Sequence, residues 1–273
     1  MNKAGVMRKN LLTLFFCMIA GIFVSSCGLE EVITVTEPTV THNNPLYSSS
    51  DPESWYFNFK TSGDDGDNFV GTGVYYKIYN NSSTLTSEKS SILSVNTSAN
   101  SSAAATRMIE TYKYQQLVGG ASGDAVMFSK DIGAVSVIMR LKDYQHGLGQ
   151  APSQSDTTAY NNYIESKKNR YKWEACIGTL AGSEYSYYAV IPYRSGGNKT
   201  FDFFDYDENN KGGTRDVLPA DGDEDYKHSA SSSDSDAYFV QMFAVGIALD
   251  PNTTSPSYSL VLDLGSVPIR KGE

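Results

Sequence analysis

The chain has 273 residues, 40% hydrophobic and 12% aromatic, which is enough apolar material for one large domain with its own core. Acidic residues outnumber basic ones by 31 to 22, for a formal net charge of −9. Because an acidic surface repels phosphate, this balance argues against nucleic acid as a partner and against peripheral binding to anionic lipid.

The N-terminal residues have the features of a secretory signal. Lys3, Arg8 and Lys9 precede an apolar run at 11–24, and no acidic residue occurs before Cys27. A positive start, a short apolar run and a small-residue exit are typical of such signals. The run is shorter than the roughly 20 apolar residues that an ordinary membrane span needs.

The end of this segment, Val24-Ser25-Ser26-Cys27, resembles the lipobox of bacterial lipoprotein precursors, in which an aliphatic and two small residues precede a cysteine. The resemblance covers only the start of the chain. It implies that a signal peptide, residues 1–26, is removed and that Cys27 carries a diacylglycerol thioether, so that the protein is exported and lipid-anchored to a membrane. A plain signal peptide with an incidental cysteine, or an uncleaved anchor, is the alternative.

Removal of the signal peptide changes the formal charge from −9 to −12, because three basic residues and no acidic ones leave with it. Cys17 is lost and Cys27 is consumed by lipid, so Cys176 has no partner for an intramolecular disulfide. Gly28 follows the modified cysteine where Asp commonly signals retention in the inner membrane. The outer membrane is therefore the favoured location.

Residues 27–52 are predicted to form a flexible tether, because they are polar, contain Pro38, Pro45 and Pro52, and have no sustained period. Residues 53–273 are predicted to form a single domain. In this part, apolar and polar residues alternate with the period of half-buried strands. The alternating runs are 55–60, 74–79, 135–142, 171–177, 185–191, 201–203 and 258–264.

The run 238–249 is apolar on both faces except at Gln241, and it predicts a central strand covered on both sides. These patterns predict an all-β fold, an antiparallel β-sandwich with a β-barrel as the alternative. One solvated sheet face would carry many of the 19 tyrosines. Short helices are predicted at 103–117, ended by Gly119-Gly120, and at 157–168.

The acidic loop after Phe204 is the best candidate for a ligand site. Asp205, Asp207 and Asn209 stand at alternate positions, and Asp216 is the twelfth residue counted from Asp205. Calcium takes roughly six to eight oxygen ligands, which such a loop can supply. The predicted calcium ligands are Asp205, Asp207, Asn209 and Asp216.

This spacing resembles an EF-hand loop only in part, because Asn210 stands where glycine is required. A solvated hairpin loop, in which Asp and Asn serve turn chemistry, is the alternative reading. A longer acidic, serine-rich segment, residues 207–236, is predicted to be a mobile loop. It contains a weaker alternating cluster of Asp221, Asp223 and Asp225.

Catalytic motifs find little support in the sequence. His42, His146 and His228 have no neighbours at metal-ligand spacing and are expected at the surface. The segment Gly120–Asp124 lacks the spacing of a nucleophile elbow. Aromatic clusters such as 185–193 are compatible with sugar binding, although aromatic residues at a period of two more often belong to a core or a sheet surface.

Three functional hypotheses follow. The first is a lipid-anchored envelope protein that binds a protein or carbohydrate ligand, or has a structural role, and is not an enzyme. The second is an envelope hydrolase that uses a pair of carboxylates. The third is an interaction module stabilised by calcium.

Overall fold

The computed structural model describes residues 33–40, 46–48, 51–64, 66–119, 126–143, 153, 155–159, 162, 171–177, 188–190, 192–194, 219–230 and 237–270. The described residues from Thr34 onward belong to one unit.

Most of the described residues lie in β-strands. In chain order the strands are β1 (Leu46–Ser48), β2 (Asp51–Lys60), β3 (Phe69–Tyr79), β4 (Gln115–Gln116), β5 (Val118–Gly119), β6 (Phe128–Ser129), β7 (Ser136–Asp143), β8 (Tyr171–Ile177), β9 (Tyr188–Val190), β10 (Pro192–Tyr193), β11 (Tyr226–Lys227), β12 (Ala237–Leu249), β13 (Pro256–Tyr258) and β14 (Leu262–Arg270).

Two main sheets form the sandwich that the alternation predicts. The first has the order β1-β2-β7-β8-β9 and is antiparallel throughout. In the second, β12 pairs with β3 on one side and with β13 and β14 on the other. The free side of β3 is covered by β6, β4 and β11, of which β11 pairs in parallel. A short antiparallel pair, β5 with β10, completes the described strands.

The main core lies between the two sheets. Alternate side chains of β2 and β7 meet alternate side chains of β3, β12 and β14 in one buried cluster. Its members are Phe57, Phe59, Val74, Tyr76, Ile78, Leu117, Phe128, Val137, Met139, Tyr238, Val240, Met242, Ala244, Leu264 and Val267. Period-two alternation therefore identified the inward faces of β2, β3 and β7 correctly. The predicted run 258–264 does not form one strand, because residues 259–261 separate β13 from β14, and Ser259 and Val261 are buried there. The run 201–203 lies outside the described residues.

The opposite face of the second sheet is also buried, in contrast to the prediction of a solvated face. Two helical segments cover it, α1 (Ser82–Leu93) and α2 (Ser102–Thr106), the latter continued by a π-helical turn at Arg107–Thr111. They pack on Tyr75, Tyr79 and Phe243 in a second cluster. Tyrosines expected at the surface are buried there because helices, not solvent, cover this face.

Helix α1 was not predicted from the sequence, because it lacks an apolar stripe; only Leu85 and Ile92 are buried along it. Asn80 and Asn81, residues of a type common in turns, precede this helix. The Asn81 side chain accepts a hydrogen bond from the Thr84 backbone N–H at 2.9 Å, which is a standard N-cap.

The two predicted helices are found in altered form. The first begins at Ser102 but ends at Thr111, and Gln115–Gln116 pair with β3. Lys113 has φ 58°, so the chain leaves the helix before Gly119. In the second, residues 157–159 and 162 are helical, and the Asp156 side chain accepts from the Ala159 backbone N–H.

The described part of the predicted tether packs on the domain instead of standing clear of it. Val35 is buried and Thr39 forms a β-bridge with Lys60, with backbone hydrogen bonds of 3.0 and 2.7 Å. The Thr36 backbone N–H donates to the Asp64 side chain. The polar composition predicted a segment that does not pack on the domain. Backbone hydrogen bonds depend little on side-chain type, however, so a polar segment can still pair with a strand.

Part of the predicted mobile loop is likewise held in place. In the described stretch 219–230, Tyr226 and Lys227 pair with the end of β3. The Asn80 side chain exchanges two hydrogen bonds with the Ser229 backbone, at 2.8 and 3.1 Å. The acidic composition suggested a solvated segment, but two of its carboxylates, those of Asp223 and Asp225, bind the buried guanidinium of Arg194.

Gly246 of β12 gives a test of how the N-terminal segment docks. A Cβ there would lie 2.6 Å from the Thr36 carbonyl O and 2.9 Å from Val35 Cγ1. We expect Gly246→Ala to push the segment away, to lower the free energy of unfolding by about 1–3 kcal/mol, and to speed hydrogen exchange at the Thr39 and Lys60 amides. Gly222→Ala is the control for strain elsewhere in the domain: its new Cβ meets nothing within 4 Å, but its φ of 101° disfavours a side chain. It should leave that exchange unchanged, and equal protection in both variants would contradict the docking.

Candidate functional site

The described residues bring together two buried polar clusters, one at each side of β3. The first is centred on Arg194, which follows β10 and is 0% exposed. Its Nε donates to Asp225 Oδ2 at 2.8 Å and its Nη2 donates to Asp225 Oδ1 at 2.8 Å. Nη2 also donates to Asp223 Oδ2 at 2.9 Å. The two bonds to Asp225 form the bidentate geometry that is typical of a guanidinium and a carboxylate.

Strand β3 supplies the rest of this cluster. The Tyr76 hydroxyl donates to Asp225 Oδ2 at 2.6 Å, and the Ile78 backbone N–H donates to the Asp225 carbonyl at 2.8 Å. Burial alone would lower the pKa of Arg194, but its hydrogen bonds and ion pair with Asp225 outweigh this and raise that pKa. The cluster therefore keeps a permanent cation inside the fold.

The Arg194 cluster joins three parts of the chain that are remote in sequence: the end of β10, the stretch 219–230 and β3. Removing one partner of a buried ion pair costs about 3–5 kcal/mol, because the other charge is left without compensation. The two aspartates and the arginine are thus used to fix the acidic stretch to the edge of the second sheet.

The second cluster lies on the helix-covered face of the same sheet. Lys77, whose side chain is 7% exposed, places Nζ 3.2 Å from Glu88 Oε2 of α1 and donates to the Tyr112 carbonyl. The same Nζ lies 5.5 and 5.8 Å from the ring centroids of Tyr79 and Tyr114. Burial lowers the pKa of Lys77, although Glu88 acts in the opposite direction.

Gln241 lies opposite Lys77 in the register of β12 and β3. Its Nε2 donates to Asp263 Oδ1 at 2.7 Å and to the Met242 carbonyl at 3.0 Å. Its Oε1 has no hydrogen-bond partner, the one such buried side-chain atom in the described part of the chain. An unpaired buried acceptor costs about 1–3 kcal/mol, so the bonds of Nε2 hold the amide in place against this cost.

Both clusters consist of contacts that hold parts of this chain together. A lysine with a lowered pKa is the starting point for amine nucleophiles. The Lys77 amine, however, is enclosed: it donates to Glu88 and to the Tyr112 carbonyl and lies near two aromatic rings. The Arg194 guanidinium is occupied by carboxylates in the same way. Each cluster binds a segment of this chain to the second sheet.

Of the acidic residues singled out in the sequence, Asp223 and Asp225 belong to the first cluster. Cys27 and the predicted calcium ligands Asp205, Asp207, Asn209 and Asp216 lie outside the described residues, so both remain predictions. Within the described ranges, no group of three or more His, Cys, Asp or Glu side chains is arranged to hold a metal ion.

Other candidate residues lie partly within the described chain. Asp64 serves its turn: it accepts from Gly66 N–H at 2.9 Å and from Thr36 N–H at 3.1 Å. Burial is the largest single influence and raises the pKa of Asp64, but the hydrogen bonds from Gly66 and Thr36 together outweigh it and lower that pKa. His228 is exposed beside Asp221, as expected of a surface histidine. His42, His146 and the segment 120–124 are outside the described residues, and of the aromatic cluster only the strand positions of Tyr188 and Tyr193 are described.

Sequence reasoning missed the partners that make the clusters. Lys77 carried a usable signal, since it stands in an alternating aromatic and aliphatic run on a face that proved to be covered. Gln241 carried a similar signal, as the single polar side chain of an apolar strand. Arg194 had none, because it follows a short strand and its aspartate partners lie about 30 residues further along the chain.

No family model matches the sequence, and no curated protein or solved structure resembles it at a significant level. Among the residues that the structure describes, no helix is both long and apolar enough to cross a membrane.

Replacing Arg194 tests the first cluster. We expect Arg194→Met to lower the free energy of unfolding by about 3–5 kcal/mol, because Asp225 is left as an uncompensated buried charge and the partly buried Asp223 loses its cation. Urea unfolding at neutral pH measures this loss. Lys130→Met, which removes an exposed cation, is the matched control and should change the stability by about 0.5 kcal/mol or less.

Combining Arg194→Met with Asp225→Asn separates charge from packing. Because the second change removes one of the stranded charges, the double variant should lose less stability than the sum of the two single variants. Additive losses would show that the two side chains do not act as one unit.

Alkaline pH tests the burial of the tyrosines. Burial raises the pKa of Tyr75, Tyr79 and Tyr114 above the usual value, and that of Tyr226 to about 12. These groups keep their protons in the folded state at a pH where the unfolded chain loses them. Their contribution to stability is therefore complete below pH ~10 and decreases as the pH rises further.

Lys77 acts in the opposite sense: because its pKa is lowered in the folded state, the free energy of unfolding rises with pH until the pKa of an unfolded lysine, ~10.4, is reached.

Above pH ~10, each buried tyrosine lowers the free energy of unfolding by up to about 1.4 kcal/mol per pH unit. We expect Tyr79→Phe to reduce the slope between pH ~10 and ~11 by about that amount, as measured by urea unfolding. An unchanged slope would place the Tyr79 hydroxyl in water.

Proposed function

We propose that this protein is a lipoprotein of the bacterial cell envelope, anchored through lipid on Cys27, and that its domain works as a binding or structural module. The observation that carries the proposal is the sequence around Cys27: a basic start, a short apolar run, and an aliphatic and two small residues before the cysteine. Each of these features has a distinct role in export and processing.

Lipid on Cys27 would be sufficient for stable attachment. Each buried methylene contributes about 0.8 kcal/mol, and a single acyl chain holds a protein only reversibly. A diacylglycerol thioether supplies two chains, and acylation of the Cys27 amine supplies a third. Gly28 after the cysteine favours the outer membrane over the inner one.

Properties of the domain support a role on the envelope outside the cytoplasm. With the signal peptide removed, its formal charge is −12, which favours solubility and disfavours phosphate-rich partners. No disulfide can form with Cys176 as the only unmodified cysteine, and stability comes instead from two apolar clusters and the Arg194 and Lys77 fastenings. The partner that fits this picture is a protein or carbohydrate of the envelope.

Intact mass spectrometry of the protein from its bacterial membrane tests the proposal. We expect the mature chain to begin at Cys27 with two or three acyl chains, and Cys27→Ala to remain unprocessed or to leave the membrane fraction. Cys176→Ala is the matched control and should be processed and anchored as the unchanged protein is. An unmodified chain cleaved at another position would refute the anchor.

A further inference from the structure

We propose that one end of the sandwich, the anchor end, lies against the bilayer that holds the lipid; this rests on the proposed lipidation of Cys27. The anchor end is defined by the described part of the connection between β2 and β3, residues 61–64 and 66–68, and by the segments hydrogen-bonded to it. The occupant of this surface is the lipid of the protein's own membrane.

The N-terminal segment enters the domain at this end. Thr39 pairs with Lys60, the last residue of β2, while Thr36 N–H donates to Asp64 in the connection. Val35 reaches the second sheet, where its Cγ1 and the Thr36 carbonyl lie close to Gly246. Residues 35–39 thus cross from one sheet to the other, and the chain toward Cys27 leaves from here.

The length of chain between the lipid and the domain is short. Seven residue steps separate Cys27 from Thr34. Even fully extended, they span only about 25 Å, since each residue covers at most roughly 3.3–3.6 Å. The opposite end of the sandwich is farther away, because β3 has 11 residues from Phe69 to Tyr79 and each rises about 3.3 Å.

The exposed apolar side chains occur at the same end. In the described part of the chain, the large hydrophobic residues that are exposed are Val40 at 42%, Ile132 at 37% and Leu249 at 39%. Each of the three either makes a backbone hydrogen bond to the β2–β3 connection or stands next to a residue that is hydrogen-bonded to this connection or to Lys60, which precedes it. Thr39, beside Val40, bonds Lys60; Gly133, beside Ile132, accepts from Thr61 Oγ1 at 2.8 Å; and Leu249 N–H donates to the Asn68 carbonyl at 2.9 Å.

Apolar side chains gathered beside a lipid anchor are suited to the headgroup region, where such groups become buried by roughly 5–10 Å. The charges at this end do not favour a surface of anionic lipid, because Asp64, Asp67, Asp131 and Asp250 outnumber Lys60 and Lys130. Contact therefore depends on the lipid, which holds the end at the bilayer, and not on electrostatic attraction. The opposite end, with β11 and His228, is left free to meet a partner.

The test uses the full-length protein, purified from its membrane and reconstituted in phosphatidylcholine vesicles. In a Cys176→Ala background, a fluorophore is placed at Ile132→Cys, Leu249→Cys or His228→Cys, and quenching by nitroxide-labelled lipid is measured. The first two positions are at the anchor end, and His228 follows β11, which pairs with the far end of β3. Quenching by aqueous iodide gives the reciprocal measurement on the same samples.

We expect lipid quenching at positions 132 and 249 to exceed that at 228 by about threefold or more, as apolar side chains in the interface require. Iodide should give the opposite order. Equal quenching at the three positions, or stronger lipid quenching at 228, would overturn the orientation. Signals at 132 and 249 that follow protein density instead of lipid quencher would also overturn it, and would identify an interface between copies.

A variant with a longer spacer tests whether the short chain between Cys27 and the domain sets the orientation. Inserting about 20 Gly and Ser residues after Gly28 adds a mean span of roughly 25 Å, so quenching at 132 and 249 should fall toward the level at 228. Unchanged quenching would mean that the chain length does not set the orientation. Intact mass separates the two proposals: an unacylated chain refutes both, whereas an acylated chain without asymmetry refutes only the orientation.

Discussion

The structure depends on one pair of strands, β3 and β12, that is buried on both faces. Ten residues of each are paired, from Phe239 opposite Tyr79 to Ala248 opposite Phe69, with a shift of register between Ile247 and Ala248. One face of the pair forms the sandwich core with β2 and β7, and the other lies under the helices. Because both faces exclude water, any polar side chain on this pair must find its partners inside the protein.

That constraint explains where the buried charges lie. Tyr76 and Lys77 are neighbours on β3 and point to opposite faces. The first meets Asp225 and through it Arg194, and the second meets Glu88 of α1. Each contact recruits a segment that has few apolar residues of its own. A helix without an apolar stripe and a strongly acidic stretch are thus attached to the sheet by ionic and hydrogen-bonded contacts in a low-dielectric interior.

The two ends of the sandwich have different tasks in the proposed orientation. At the anchor end, the N-terminal segment bridges the sheets and the exposed apolar side chains lie beside it. At the other end, Asn80 and the Arg194 cluster hold the acidic stretch in place. A short covalent link to lipid would turn this difference between the ends into a fixed direction with respect to the membrane, with no need for a strong lipid-binding surface.

The sequence alone determined β2, β3, β7, β8 and β12, the inward faces of the first three and the central position of β12, because alternation with a period of two is a local property that burial of one face imposes. It also supplied the whole case for the lipid anchor. It did not determine that helices cover the second face, that Asp223 and Asp225 turn inward to Arg194, or that residues 35–39 close the anchor end. These depend on contacts between residues from about 10 to 210 positions apart. Only the tertiary structure decides which polar groups meet, since their pairing leaves no periodic mark in the sequence.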